Sequence, residues 1–179
     1  VVNVRDGSPQ EAPGALERVR ELLNTWLIPN DTRRPADRFD DYAAPLPAPD
    51  RDVLRRLRDD LRAAVERQPG SDDLINAWVH DLGLGVRVHD RTLVFRHDAG
   101  TAGEILAIVL EAITTRQWDR LKACPDCRWV FYDHTRNASK RWCLMNAGGP
   151  GGRACGTIAK VRRHRRNRAG RDPGGQLSR

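Results

Sequence analysis

All four cysteines of this 179-residue chain fall within 32 consecutive positions. Cys124-Pro-Asp-Cys127 comes first, Cys143 follows after fifteen intervening residues, and Cys155 after eleven more. Two thiols separated by two residues both reach one tetrahedral zinc ion, and a second pair from further along closes such a site. Pro125 and Asp126 favour the tight turn that a metal knuckle needs. The spacing therefore predicts one structural Zn2+ held by Cys124, Cys127, Cys143 and Cys155. His134 and His164 stand close enough in sequence to replace Cys155 if the loop before it keeps that thiol away. Four thiolates leave no coordination position for water or substrate, so the expected role of the metal is structural and not catalytic.

The last loop is long and contains Gly148-Gly-Pro-Gly-Gly152. Lengthening a closed loop from about four residues to about eleven costs only about 0.9 kcal/mol. Structural zinc binding is worth on the order of ten kcal/mol or more, so the loop does not threaten coordination. Residues 120–179 have too few aliphatic side chains to fold without help. Trp129, Val130, Phe131 and Trp142 are expected to form a miniature core beside the metal, and removing zinc is expected to melt it.

Charge is distributed unevenly. Residues 1–119 hold 16 Lys+Arg against 21 Asp+Glu, whereas residues 120–179 hold 15 against 3. A cationic end on an acidic body concentrates polyanion binding at that end. No apolar run is long enough to span a bilayer, so no membrane role is expected. No secretory pattern of charged start, apolar stretch and cleavage site is visible, which gives a cytoplasmic expectation. Spaced cysteines in a reducing compartment are more often metal ligands than disulfides. Neither a phosphate-cradling glycine motif nor a nucleophile elbow occurs, so an enzyme is not expected.

Before the cysteines the pattern is mostly helical. Over residues 15–28, Leu16, Val19, Leu22, Leu23, Trp26 and Leu27 recur at helical spacing. Residues 30–49 carry Pro35, Pro45, Pro47 and Pro49 among charges and read as a surface loop. Asp50 is placed to cap a second helix with Val53, Leu54, Leu57, Leu61, Ala64 and Val65 on its buried stripe. Ser71 or Asp72 is placed to cap a third, with Leu74, Ile75, Trp78 and Val79 facing inward. Residues 84–89 and 92–97 alternate as strands about Asp90-Arg91, which predicts a hairpin. Residues 101–118 form a helix apolar on several faces, and Ile105, Leu106, Ile108, Val109, Leu110 and Ile113 place it through the centre of the body. Asp59-Asp60 reads as a solvated face, and His80, His89 and His97 as surface or hairpin positions. The fold class is mainly α with one small β-hairpin (α+β) in an N-terminal domain, 1–119. A small zinc-finger module with a terminal basic helix, 120–169, and a disordered tail, 170–179, follow.

The finger segment resembles a known family. Cys124-Pro-Asp-Cys127-Arg-Trp-Val-Phe-Tyr-Asp133, Thr135-Arg-Asn137, Arg141-Trp-Cys143-Leu-Met145 and Ala159-Lys-Val-Arg-Arg-His164 together look like the CGNR zinc finger. In that family the finger follows a helical domain called ABATE, and the proteins are usually described as stress-induced transcription regulators. The resemblance implies Cys124, Cys127, Cys143 and Cys155 as ligands and an ABATE-like body that begins inside its opening motif. Cys155-Gly156 is followed here by Thr157-Ile158 where the family has Asn-Arg, so the contacts of those two residues do not carry over. The glycine-rich loop also replaces what is usually a short gap.

Lys160, Arg162, Arg163, Arg165, Arg166 and Arg168 cover most of the circumference of the predicted terminal helix, which leaves Ile158, Ala159 and Val161 as its docking side. Arg136, Lys140 and Arg141 add a second basic strip. These nine residues are the expected nucleic-acid-binding set, with duplex DNA as the first partner. Trp129, Phe131 and Trp142 would serve either as core or as stacking platforms for unpaired bases. Three functions follow: a DNA-binding transcription regulator whose N-terminal domain dimerises or takes a small ligand, an RNA- or ribosome-associated zinc protein, and a protein-interaction module.

Overall fold

The structure, a computed structural model, describes residues 10–29, 32–144 and 154–169. The glycine-rich loop and the tail after residue 169 lie outside the described residues, as does the side chain of Arg168. The body is built on α1 (Leu16–Leu23), α3 (Ala48–Val65) and α5 (Gly100–Thr114). Val19, Leu22 and Leu23 of α1, Leu54, Leu57 and Leu61 of α3, and Ile105, Leu106 and Val109 of α5 are fully buried against one another. This is the outcome expected of apolar residues at helical spacing. About half of the described residues are helical, and small antiparallel strand pairs supply the rest of the regular structure, an α+β fold.

The region read as a surface loop is packed. A short strand β1 (Trp26–Leu27) pairs antiparallel with β2 (Ala36–Asp37), and α2 (Phe39–Ala43) follows. Phe39 and Ala43 are completely buried. The prolines are compatible with this because they sit around α2 and at the start of α3, where Pro47 is the N-cap and Pro49 lies in the first turn. The residue capping α3 is thus Pro47 rather than Asp50, and the first helix stops at Leu23 instead of continuing to residue 28.

In α4 (Ser71–Asp81), whose N-cap is Gly70 and neither Ser71 nor Asp72, only Ile75 of the four expected apolar residues is buried. Leu74 faces outward, and Trp78 is half-buried with its Nε1 donating to Asp60 Oδ2 at 2.7 Å. Asp60 is therefore not merely solvated. The expected hairpin forms from β3 (Gly85–His89) and β4 (Thr92–Arg96), with Asp90 and Arg91 both at positive φ, as the tightest hairpin turn requires. His97, read as a surface residue, tucks its ring over α5. A Cβ on Gly103 would come within 2.4 Å of that ring, so any larger residue would push the ring aside. α5 buries one face, not all of them: Ile113 is exposed, and Ile108 and Leu110 are half-buried.

Two arginines enter the body core from α3. Arg58 is 2% exposed and forms a two-pronged pair with Asp37 at 2.6 and 2.9 Å, adding Thr25 Oγ1 at 3.0 Å. That hydrogen bonding holds the Asp37 carboxyl below its usual range. Beside it, Arg62 donates to the carbonyls of Leu23 and Trp26 and lies over the Trp26 ring. Desolvation draws Arg62 down to about 10, still charged at neutral pH.

After α5, a 3-10 turn (Trp118–Arg120) leads into β5 (Leu121–Ala123), which pairs antiparallel with β6 (Val130–Tyr132). The final element is α6 (Cys155–Ala169). Among the described residues no helix is long and apolar enough to cross a membrane.

Candidate metal centre and its seam with the body

The turn between β5 and β6 carries the first cysteine pair. Cys124 N–H donates to Trp129 O, and Arg128 N–H to Cys124 O, both at 2.9 Å. Arg128 sits at φ +59, a left-handed conformation that side chains seldom adopt, and its Nη1 reaches Glu66 Oε2 at 3.2 Å. Cys143 comes from the segment after the hairpin, and Cys155 is the first residue of α6. Gly156 N–H donates to Leu144 O at 3.0 Å, tying the start of α6 to the residue next to Cys143.

The four Sγ atoms lie within 4.8 Å of one another and all four residues are buried. Cys127 Sγ is 3.5 Å from Cys143 Sγ, and Cys143 Sγ is 3.8 Å from Cys155 Sγ. No disulfide joins them. A tetrahedron with Zn–S bonds of about 2.3 Å has sulfurs about 3.8 Å apart, so one zinc ion fits this donor set. Crowding polarises the thiols in opposite directions. Cys127 is driven far below the ordinary thiol value by hydrogen bonds from Cys124, Cys143 and Cys155. Cys155 is driven far above it by contact with Cys124, Cys127 and Cys143. Four thiolates this close need a cation among them. Such a cation, helped by the start of a helix at Cys155, would offset the upward push on that thiol.

Neither histidine takes the fourth place. His134 Nε2 lies 2.8 Å from Glu11 O, and His164 is exposed on α6. The metal-holding cluster comprises four cysteines.

The apolar shell keeps three of the four expected residues, with Leu144 in place of Val130. Phe131 is fully buried on the sulfurs, flanked by half-buried Trp129, Trp142 and Leu144. Val130 points the other way and joins the body core with Leu121 and Tyr132. Alternation along β6 explains this, since successive strand side chains face opposite sides. Phe131 is thereby unable to stack on a base.

Several polar residues that the sequence reading did not single out join the finger to the body. Asn24 exchanges two hydrogen bonds with the Val130 backbone, at 2.8 and 2.9 Å. Ile28 N–H donates to Cys127 O, Tyr132 N–H to Gln10 O, and Gln10 Nε2 to Cys143 O, each at 3.0 Å. Arg62 Nη2 donates to Arg128 O at 3.0 Å. Arg20 lies over the Trp129 ring. The one sequence sign of this seam is Arg62, a charge next to an apolar-stripe leucine of α3.

Asp133 organises the loop between the cysteine pairs. Its buried carboxylate accepts from Lys122 Nζ at 2.7 Å, Thr135 N at 2.9 Å, Thr135 Oγ1 at 2.6 Å and Lys140 N at 2.8 Å. Burial alone would raise its pKa, but Lys122 and Thr135 outweigh that and hold it at about 2. Lys122 also donates to Ala138 O and Lys140 O. The Asp-x-Thr spacing was the available signal, since Asp commonly bonds the backbone two residues on.

The expected basic residues are distributed as follows. Lys160, Arg162, Arg163, Arg165 and Arg166 are all exposed on α6, as are Arg136 and Arg141 beside the knuckle. Lys140 is half-buried, with its Nζ over the Phe131 ring. On the expected docking side Ile158 and Ala159 are half-buried, but Val161 is 44% exposed.

The arrangement defines a closed structural metal site with the donor chemistry of zinc, docked on a helical body. A family model described as the CGNR zinc finger matches residues 120–168. No curated protein matches the chain at a significant level.

Proposed function

We propose that this protein is a zinc-dependent regulator of transcription that holds duplex DNA through α6. The observation that carries the reading is that α6 begins at a zinc ligand, contains no acidic residue, and exposes Lys160, Arg162, Arg163, Arg165 and Arg166. A metal-anchored helix start gives those cations a fixed origin, which a free basic tail lacks. Arg136, Arg141 and Lys140 extend the cationic surface from the neighbouring loop, and Arg168 lengthens it in sequence. The body, read as ABATE-like, serves as the sensing or dimerising part. Its acidic balance keeps polyanions at the far end of the molecule.

Zinc-loaded protein titrated onto duplex DNA should bind with a log–log salt slope of about −0.9 for each phosphate contacted. Absence of salt-sensitive binding overturns the reading. Competition with structured and single-stranded RNA checks the choice of partner, and a clear RNA preference moves the protein into a ribonucleoprotein role.

A further inference from the structure

Asp126, in the knuckle between Cys124 and Cys127, draws arginines from two separate parts of the chain. Its side chain is only 7% exposed. Arg33, in the connection between β1 and β2, donates from Nη2 to Asp126 O at 2.9 Å and lies 3.4 Å from Oδ1. Arg162, two turns into α6, brings Nη1 to 3.6 Å from the same Oδ1. Two guanidinium nitrogens are thereby gathered within about 7 Å of each other on one carboxylate oxygen.

One carboxylate balances one of these two charges. Each guanidinium has five N–H donors in a planar fork, more than Asp126 can occupy, and both side chains reach solvent. Arg34, next in the chain, is exposed as well. Arg33 is fixed from its own side too: its backbone is at φ +56 and its N–H donates to Pro29 O at 3.1 Å. Holding like charges side by side is unfavourable in the free protein and is relieved when a polyanion approaches.

We propose that Arg33 and Arg34 are the body's share of the DNA-contacting surface, with Asp126 a splint that sets Arg33 beside Arg162 so that both meet one stretch of phosphate backbone. The inference rests on reading α6 as the DNA-binding helix. It makes the interface composite, with the body fixing how the finger sits on the duplex, because phosphate contacts set orientation more than sequence preference.

The test follows binding of the full zinc-loaded chain to one duplex by anisotropy across a salt series. Arg33→Gln should flatten the log–log slope by about 0.9, as Arg162→Gln should, and weaken unrelated duplexes alike. Arg33→Lys should restore most of the slope. Arg91→Gln, at the hairpin turn, should leave slope and affinity unchanged. Asp126→Asn separates alignment from charge by sign: it adds one positive charge, yet a splint predicts weaker binding, and tighter binding would overturn that role. Zinc content and melting point are measured on every variant, because Arg33 also bonds the knuckle backbone. If Arg33→Gln loses zinc, Arg34→Gln decides, and an unchanged slope there overturns the proposal. If the wild-type chain binds no DNA, the reading of α6 fails first. If the wild type binds and the Arg33 and Arg34 variants keep its slope, only the extension onto the body fails.

Discussion

The body and the finger each contain a completely buried centre, but they are made of different material. In the body Val19, Leu22, Leu57, Leu61, Ile105 and Val109 exclude water from one another, and stability scales with apolar area removed from solvent. In the finger the buried centre is four sulfurs and Phe131, with Asp133 sealed alongside. A segment that small cannot close an apolar core, so an ion supplies what area cannot. The strand β6 belongs to both: Val130 and Tyr132 lie in the apolar core while Phe131, between them, lies on the metal side. The lesson is that a metal-built fragment need not be a separate bead. Here it lends one face of its own strand to its neighbour's core and receives hydrogen bonds from that neighbour's Arg62, Asn24 and Gln10.

Chelation is the largest perturbation of that arrangement, on the order of ten kcal/mol. It should release the knuckle, the Cys143 segment and α6, while the amides of α1, α3 and α5 stay protected in hydrogen exchange. Loss of every helix in one transition would mean that body and finger fold as a single unit and would break the contrast. Next comes Arg62→Met, which leaves the carbonyls of Leu23, Trp26 and Arg128 without this donor, a cost of about 3 kcal/mol. Because one of those carbonyls lies in the knuckle, zinc should also pass to a competing chelator faster. A shifted denaturation midpoint with unchanged zinc transfer would show that the seam does not couple the two centres.

Asp133→Asn should cost about 2 kcal/mol at neutral pH and act mainly on the finger. The sign of its pH dependence follows from the depressed pKa. Ionised Asp133 contributes fully above the ordinary carboxylate pKa near 4, and the contribution fades as pH falls through about 2. Acid should already have released zinc by then, since the thiolates protonate first. The Asn variant should therefore differ from wild type in thermal melts at pH 7 and converge with it in strong acid. The smallest effect is Ala138→Gly. Ala138 sits at φ +46 in the loop held by Lys122, so glycine should stabilise the finger by up to about 1 kcal/mol. A melting-point gain confined to the zinc-dependent transition would sharpen the distinction.

The parts legible in the sequence were those fixed by local spacing. The cysteine pattern located the metal, and the stripes at Leu54, Leu57 and Leu61 and at Ile105, Leu106 and Val109 located two body helices. Asp90-Arg91 marked the hairpin turn. Residues 36–43 were hidden because four charges, with Pro35 and Pro45 on either side, outnumber the two completely buried residues, Phe39 and Ala43. Val130 was misplaced because neighbours in sequence looked like neighbours in space, and strand alternation separates them. Arg20, Arg33, Arg58 and Arg62 carried no mark of their partners in the sequence; each has a partner more than twenty residues away, at Trp129, Asp126, Asp37 and Arg128, where no periodicity points to it.

The amino-acid order by itself settled which atoms bind the metal and which helices face a core, since thiol spacing and apolar period are properties of a short stretch of chain. Only the tertiary structure decided that the finger is clasped by the body and that Asp126 gathers Arg33 and Arg162. Ion pairs and carbonyl contacts form between segments that meet only after collapse, and a guanidinium carries no local mark of the acceptor it will find.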